Sequence, residues 1–167
     1  YGESLSVAAV SNGMVKGPYV TVGGKNLAYQ DSATISEDEN AKPFRSLSAR
    51  GSIEYVVVPN YGAEEDYAGL DLTGKIALVQ RGGGMYYEQK ERNAANAGAI
   101  GMLVYNNVPG MLYMSITDWK IPCAFISQAA GEYMKQQETK TLSVASADAL
   151  VESPTYGMAD FSSSVSY

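Results

Sequence analysis

The sequence contains no histidine and a single cysteine in 167 residues. Without histidine, the chain cannot form a Ser-His-Asp or Cys-His catalytic arrangement, and it lacks the most common general base near neutral pH and the ligand of most zinc sites. With Cys123 as its one cysteine, it can form neither an intramolecular disulfide nor a Cys-x-x-Cys metal or redox motif. We therefore expect no catalysis, no resident metal and no cofactor in this chain alone.

Positive charge and long apolar runs are also scarce. Asp and Glu outnumber Lys and Arg by 18 to 12, which gives a net charge of −6. A chain with this charge has no general attraction to phosphate backbones or anionic lipids. The longest apolar run, residues 97–105, is much shorter than the roughly 20 residues that cross a bilayer. We predict no nucleic-acid partner and no membrane contact by this domain.

The residues that are abundant indicate strands and tight turns. Glycine occurs 17 times and tyrosine 13 times, and 46% of the residues are hydrophobic. Aromatic residues favour strands, and glycine favours turns. The length suits one compact domain with a substantial core. Cys123 lies in the apolar segment IPCAFI, which predicts a buried and unreactive thiol.

Strand patterns occur along the whole chain. We predict strands at residues 4–10, 19–22, 25–30, 52–58, 76–79, 100–105, 121–127, 141–145 and 156–161. The second and third form a hairpin around Gly23 and Gly24, because glycine tolerates the positive φ of a tight turn. Residues 31–50 are polar and predict a surface loop with at most one short strand, and residues 60–66 predict a turn-rich loop.

The centre of the chain predicts a βαβ unit. The strand at residues 76–79 is followed by a glycine turn at residues 80–84, a helix at residues 85–97 that ends at Gly98, and the strand at residues 100–105. A crossover of this kind joins parallel strands and is right-handed.

Two helices accompany these strands. The helix of the βαβ unit carries Tyr87, Ala94 and Ala97 on one face, which Glu91 interrupts. We expect this face to point inward. A second, short helix is predicted at residues 128–137.

The glycine turn invites comparison with phosphate-binding loops. A dinucleotide fingerprint requires glycine where Tyr87 stands, and a P-loop requires Gly-Lys-Ser/Thr where residues 85–88 read MYYE. We therefore interpret the three glycines as a tight turn. An anion held by Arg81 and the N–H groups at the start of the helix remains an alternative.

Two acidic clusters, at residues 37–39 and 64–66, could supply oxygen ligands for calcium. Neither has EF-hand spacing, and acidic loops are usually solvated. We interpret both clusters as solvated loops and predict no metal site.

Four aromatic residues, Tyr86, Tyr87, Tyr113 and Trp119, are candidates for an exposed contact surface, because Tyr and Trp are enriched at protein interfaces. The alternative is that each ring packs against the sheet with its polar tip in water. We favour this alternative for Tyr87, and for Trp119 both interpretations stay open.

Several segments resemble the protease-associated (PA) domain. Residues 70–82, LDLTGKIALVQRG, resemble a hallmark strand of that family, and residues 93–101, NAANAGAIG, resemble the end of its helix. Residues 104–106 and 121–127 are similar to the next two strands of the family. All these segments occur in the family's order and spacing within residues 52–137.

The resemblance implies a mixed α/β fold. It consists of a PA-type open, barrel-like sheet flanked by two or three short helices, and it contains the βαβ unit. Glu91 departs from the family pattern, which usually has an apolar residue at that point of the helix. This departure indicates either local repacking or an exposed helix edge.

The two ends of the chain resemble a different family. Residues 4–10 are similar to a core strand of subtilisin-like serine proteases (subtilases), and residues 158–163 are similar to another of their strands. In many subtilases a PA domain is inserted between these two strands, and none of the subtilase catalytic segments is present here. We therefore expect a stub of the subtilase core at residues 1–14, the PA domain at residues 15–150 and a return strand at residues 151–167.

The resemblance also implies a role. A non-catalytic PA domain of a secreted or cell-envelope subtilase is expected to modulate substrate access, substrate specificity or protein contacts, with the rest of the parent protease and a peptide or protein substrate as partners. Two alternatives stay open, a structural spacer or dimerisation module and a stand-alone module that binds a small ligand or calcium. The residues expected to make contacts are Arg81, Gly82, Gly83, Gly84, Tyr86, Tyr113 and Trp119.

Overall fold

A computed structural model describes residues 13–32, 42–110 and 120–152. The strands in these residues are β1 (Met14–Gly17), β2 (Tyr19–Val22), β3 (Lys25–Ala28), β4 (Gln30–Asp31), β5 (Ser52–Val57), β6 (Ile76–Gln80), β7 (Gly101–Tyr105), β8 (Cys123–Ile126), β9 (Thr141–Val144) and β10 (Ala149–Glu152). The helices are α1 (Tyr87–Asn96) and α2 (Gln128–Lys135), with short 3-10 helices at Phe44–Arg50 and Glu64–Tyr67. The predicted strands at residues 4–10 and 156–161 and the acidic cluster at residues 37–39 lie outside the described residues.

Eight strands form one sheet in the order β3-β2-β9-β5-β6-β7-β8-β4. The neighbours from β5 to β8 are parallel, and the other pairs are antiparallel. The strands β3 and β4 stand at opposite ends of this order, although Tyr29 alone separates them in the sequence. The sheet therefore curls into a nearly closed barrel, which confirms the mixed α/β, barrel-like fold. β1 and β10 form a separate antiparallel ribbon.

The predicted βαβ unit is confirmed as β6, α1 and β7. The two strands are parallel, with Ile76 opposite Gly101 and Gln80 opposite Tyr105. All of β7 and all of β6 except Gln80 are buried, as expected for parallel strands covered on both faces. α1 begins two residues later than predicted, because the backbone of Tyr86 is still extended (φ −71°, ψ 156°).

The parallel strands separate two hydrophobic clusters, since successive side chains of a strand point to opposite faces. In β6, Ile76 and Leu78 enter the cluster inside the barrel, which α2 covers through Met134. Ala77 and Val79 enter the cluster on the other face, which α1 covers. The hairpin of β2 and β3, the strand β5 that ends before Pro59, and the second helix are also confirmed.

The prediction of a surface loop over residues 31–50 was wrong for its last part. Residues Phe44–Arg50 form a 3-10 helix that inserts Phe44 and Leu47 into the cluster inside the barrel. The Phe44 N–H donates a hydrogen bond of 2.7 Å to Oδ2 of Asp31, which ties this helix to β4. Across the described ranges, no helix has the length and apolar character needed to cross a membrane.

Candidate functional site

The ends of three parallel strands place the candidate site at one edge of the sheet. β5, β6 and β7 run in the same direction, so the segments that follow them leave the sheet at their common carboxyl edge. In sheets with parallel strands this edge is the usual location of binding sites. The sequence-predicted turn that begins at Arg81 follows β6, and it meets the segment after β5 at Tyr61 and the segment after β7 at Asn107.

The turn after β6 is built from three glycines with positive φ: 123° at Gly82, 74° at Gly83 and 71° at Gly84. The tight turn is thus confirmed. Gly83 also lies directly against Tyr61, because a Cβ atom added to it would come within 2.7 Å of Cβ and Cγ of that tyrosine. A Cβ on Gly82 would lie 3.1 Å from the side-chain nitrogen of Asn107. Two of the three glycines therefore serve close packing as well as the turn.

Lys90 lies beneath this turn, with 0% of its side chain exposed. Its Nζ donates hydrogen bonds to the carbonyl oxygens of Tyr61 (2.5 Å), Gln80 (3.0 Å) and Gly82 (2.9 Å). Burial lowers the pKa of Lys90 to about 8, and the negative charge of Asp66 partly opposes this shift. The ammonium group therefore joins the segments that follow β5 and β6.

Arg81 is held by the segment that follows β7. Its Nη1 donates to Oδ1 of Asn106 at 3.1 Å, and its main-chain N–H donates to the carbonyl of Tyr105 at 2.9 Å. The side chain of Asn106 in turn donates to the carbonyl of Gly110 at 3.0 Å. This chain of hydrogen bonds orders a cation at the edge of the sheet.

Three large side chains are exposed along the segments of this edge. Tyr86 is 77% exposed, Val108 is 50% exposed and Tyr61 is 38% exposed. Tyr87, by contrast, packs on Phe125 with 6.2 Å between ring centroids, as predicted. Tyr113 and Trp119, the other predicted contact residues, lie outside the described residues.

Sequence reasoning missed Tyr61, Lys90 and Asn106. A signal for Lys90 was present, because it lies four residues before Ala94 and three after Tyr87, on the inward face of the helix. A lysine at such a position needs acceptors when it is buried, and the ends of the adjacent strands supply them. The position of Tyr61 depends on the pairing of β5 with β6, for which the sequence offered no signal, whereas the βαβ unit already placed Asn106 beside the turn after β6.

Glu91 is also buried, with 1% exposure, so an exposed helix edge was the wrong alternative. Its Oε2 accepts hydrogen bonds from the main-chain N–H groups of Lys120 at 2.6 Å and Ile121 at 2.9 Å. The carboxylate replaces the family's apolar residue with a polar connection between α1 and the segment that enters β8. Glu91 thus marks local repacking.

Cys123 is fully buried, as predicted, and its Sγ lies 3.5 Å from the carbonyl of Ile121. Burial raises the pKa of the Cys123 thiol well above its usual range, with a smaller contribution from the charge of Glu91. The group is protonated at neutral pH and is shielded from reagents in solvent.

The acidic cluster at residues 64–66 is tied into its own loop. Asp66 accepts hydrogen bonds from the side chain of Asn60 at 2.8 Å and from the main chain of Ala63 at 2.9 Å, and these bonds lower the pKa of Asp66. Within residues 13–32, 42–110 and 120–152, no group of three or more Cys, Asp or Glu side chains is arranged to hold a metal ion.

Comparison with curated proteins finds peptidases. The chain is 40% identical to the minor extracellular protease Vpr of Bacillus subtilis (strain 168) over 90 residues, which are 52% of this chain and 11% of Vpr. It is 40% identical to the aminopeptidase YwaD of the same organism over 85 residues, 48% of this chain and 18% of that protein. It is 37% identical to the C5a peptidase of Streptococcus pyogenes serotype M1 over 84 residues, 50% of this chain and 7% of that protein. The chain thus matches only a small part of each of these relatives.

Solved structures share the fold. The zinc aminopeptidase BSAP from Bacillus subtilis aligns with a TM-score of 0.60 and 21% identity over 83% of this chain and 31% of that one. The psychrophilic subtilisin-like protease Apa1 from Pseudoalteromonas sp. AS-11 aligns with a TM-score of 0.51 and 15% identity over 89% of this chain and 37% of that one. The family model of the PA domain matches residues 15–134. Since this match covers more than half of the sequence, the chain belongs to the PA domain family.

Proposed function

We propose that this chain is the non-catalytic PA domain of a secreted or cell-envelope subtilisin-like serine endopeptidase, in which it contributes a contact surface for a peptide or protein substrate. The observation that carries the proposal is the match to peptidases of which this domain forms only a small part. The missing histidine agrees with a catalytic site elsewhere in the parent. A relative named as an extracellular protease supports the location.

The subtilase parent rests on the ends of the chain. Aminopeptidases are among the relatives, so the match to the PA domain alone does not select the class of peptidase. Residues 4–10 and 158–163 resemble subtilase core strands, and a subtilisin-like protease shares the fold of this domain. The antiparallel pairing of Met14 with Glu152 supports an insertion, because it brings the two ends of residues 15–150 side by side.

The contact surface is proposed at the carboxyl edge of the parallel strands. Exposed Tyr86, Val108 and Tyr61 offer apolar area, and Arg81 offers an ordered cation. Aromatic residues and arginine contribute most of the binding energy in many protein interfaces. Binding energy gained there, away from the reacting bond, changes which substrates the parent enzyme selects.

The test compares long and short substrates of the parent peptidase. Tyr86→Ala is expected to lower kcat/KM about tenfold for a folded protein substrate, because it removes one side chain from the interface. The value of kcat/KM for a short chromogenic peptide should not change. Arg50→Ala is the matched control, since Arg50 is exposed and precedes the amino end of β5, at the opposite edge of the sheet. Unchanged cleavage of both substrates, or an equal loss on both, would count against a substrate-contact role. Equal loss would favour the spacer alternative.

A further inference from the structure

We propose that Lys90 is the positioning residue of this contact surface: its ammonium group joins the segments after β5 and β6 and so sets where Tyr61 and Gly83 lie. The structural part of this inference is independent of the proposed function. Its consequence for substrate selection rests on that function.

Lys90 uses all of its hydrogen-bond donors. An ammonium group has three N–H donors, and Lys90 directs hydrogen bonds to three acceptors, the carbonyl oxygens of Tyr61, Gln80 and Gly82. One acceptor belongs to the segment after β5, and two belong to the end of β6 and its turn. Each donor is therefore used, and the cation fixes the distance between two loops that are about 20 residues apart in the sequence.

All three acceptors of the Lys90 ammonium group are main-chain carbonyls. A lysine that pairs with a carboxylate holds a side chain, whereas a lysine that binds carbonyls holds the path of the backbone itself. Gly82 and Gly83 have no side chains that could hold the turn, and their positive φ values are open to few other residues. The position of this turn thus depends on its backbone hydrogen bonds.

The aromatic ring of Tyr61 also lies close to the Lys90 ammonium group. Nζ of Lys90 lies 5.6 Å from the centroid of this ring, within the range of a cation–π contact. The same ring packs on Gly83 and leaves 38% of Tyr61 exposed. Lys90 therefore acts on Tyr61 both through its carbonyl oxygen and through its ring, and it orients an exposed aromatic side chain from below.

The burial of Lys90 has an energetic cost. A buried cation carries a desolvation cost, which is visible in the lowered pKa of Lys90, about 8. Methionine has a similar length and would fill the same space on α1 without that cost, although it would leave three carbonyls without a donor. Lysine therefore satisfies three main-chain acceptors that an apolar residue of the same length would leave unpaired, and these acceptors belong to the two loops whose arrangement it sets.

The test uses NMR on the 167-residue chain with Lys90→Met, and with Lys75→Met as the control. Lys75 precedes β6 at the opposite edge of the sheet, and its Nζ lies 3.8 Å from Oε1 of Glu54. In the wild-type chain we expect the amide signals of Tyr61 and of residues 82–84 to titrate together with a midpoint near pH 8. Lys90→Met should displace these signals and abolish the titration, and Lys75→Met should leave both unchanged.

Two results would overturn the inference. One is a folded Lys90→Met variant whose signals for Tyr61 and residues 82–84 match the wild type. The other is a wild-type chain in which these signals do not shift over the pH range in which the side-chain signals of Lys90 itself show loss of its proton, a measurement that remains decisive even when Lys90→Met fails to fold.

A kinetic measurement separates this inference from the proposed function. In the parent peptidase, Lys90→Met should raise KM for the protein substrate about tenfold, whereas Lys75→Met, at the opposite edge of the sheet, should leave it unchanged. If Tyr86→Ala and Lys90→Met both leave protein cleavage unchanged while the NMR signals move, the proposed function fails and the positioning role stands. If the NMR signals do not move, the positioning role fails whatever the kinetics show.

Discussion

Glu91 binds the main chain of Ile121: its Oε2 accepts the Ile121 N–H at 2.9 Å and the preceding N–H, that of Lys120, at 2.6 Å. A single carboxylate oxygen on α1 thus satisfies two successive main-chain donors at the entrance of β8. Glu91 lies 29 residues before Lys120 and 30 residues before Ile121 in the sequence. This connection helps hold the helix of the βαβ unit on the next strand of the sheet.

Removal of this carboxylate should be costly. Glu91→Ala leaves two N–H groups without their acceptor, and we expect a loss of about 2 to 4 kcal/mol in the free energy of unfolding, measured with urea. Glu91→Gln keeps an acceptor oxygen and should lose less than half as much. Glu138→Ala, on the exposed surface, should change stability by no more than about 0.5 kcal/mol. An equally small effect of Glu91→Ala would contradict the role of the two hydrogen bonds.

Gly83 and Gly84 offer a matched pair of variants. Their φ values are 74° and 71°, so alanine at either position must adopt a similar positive φ. A Cβ at Gly83 would lie 2.7 Å from Tyr61, whereas a Cβ at Gly84 meets no atom within 4 Å. Gly83→Ala should therefore destabilise the chain by about 1 to 3 kcal/mol more than Gly84→Ala in urea unfolding. Equal losses would show that Tyr61 does not pack on the turn.

Gly131 is the point at which α2 approaches the barrel. Alanine in a helix is normally more favourable than glycine by about 0.5 to 1 kcal/mol. Here a Cβ would overlap Cβ and Cγ of Tyr105, so Gly131→Ala should instead lower the thermal midpoint, with a loss of about 1 to 3 kcal/mol. Gly17→Ala is the control, because its Cβ would meet nothing within 4 Å. A stabilised Gly131→Ala variant would refute this close approach.

Lys90 should make stability rise with pH in the alkaline range. Burial lowers its pKa from 10.5 to about 8, so between these values the unfolded chain binds more protons than the folded chain. The free energy of unfolding should therefore increase with pH, by at most about 1.4 kcal/mol per pH unit. Cys123, whose thiol pKa burial raises well above its ordinary 9.0, opposes this trend from about pH 9, and Tyr55, whose pKa burial raises from 10.0 to about 12, opposes it above pH 10. Between about pH 7.5 and 9.5, the slope of the free energy of unfolding against pH, measured with urea, should be more positive in the wild type than in Lys90→Met, because Cys123 contributes equally to both; identical slopes would contradict it.

Cys123 should be inert in the folded chain. Its thiol is buried, and burial raises its pKa, so neither the thiolate nor access for a reagent is available. An aromatic disulfide reagent at neutral pH should modify the urea-unfolded chain completely and leave the native chain unmodified over the same time. Rapid, stoichiometric modification of the native chain would show that the hydrophobic cluster beneath α1, which contains Cys123, opens to solvent.

Local signals were sufficient for most of the regular structure. The apolar runs of β6 and β7, the intervening glycines and the helix-forming segment up to Gly98 predicted the βαβ unit, because each signal depends on neighbouring residues. The paired glycines at residues 23 and 24 predicted the first hairpin for the same reason. The family resemblance then supplied the open, barrel-like form of the sheet, which no local pattern contains, and the structure shows that this barrel is nearly closed.

The errors have a common cause. Phe44 and Leu47 stand in a polar segment, and their burial is decided by the barrel that the rest of the chain builds. The ribbon of β1 and β10 joins Met14 to Glu152, and no pattern at either end signals that pairing. Short elements with few apolar residues depend on partners that are remote in the sequence.

The sequence by itself determined the βαβ unit, the first hairpin, the second helix, the buried Cys123, the glycine turn and the exclusion of histidine-dependent chemistry, because these follow from residue type and local spacing. Only the tertiary structure decided that Lys90 and Glu91, charged residues on one helix, are both buried, and that Tyr61 lies against Gly83. A charged side chain is buried only where acceptors or donors converge on it. That convergence is produced by strand ends that the folded sheet brings together.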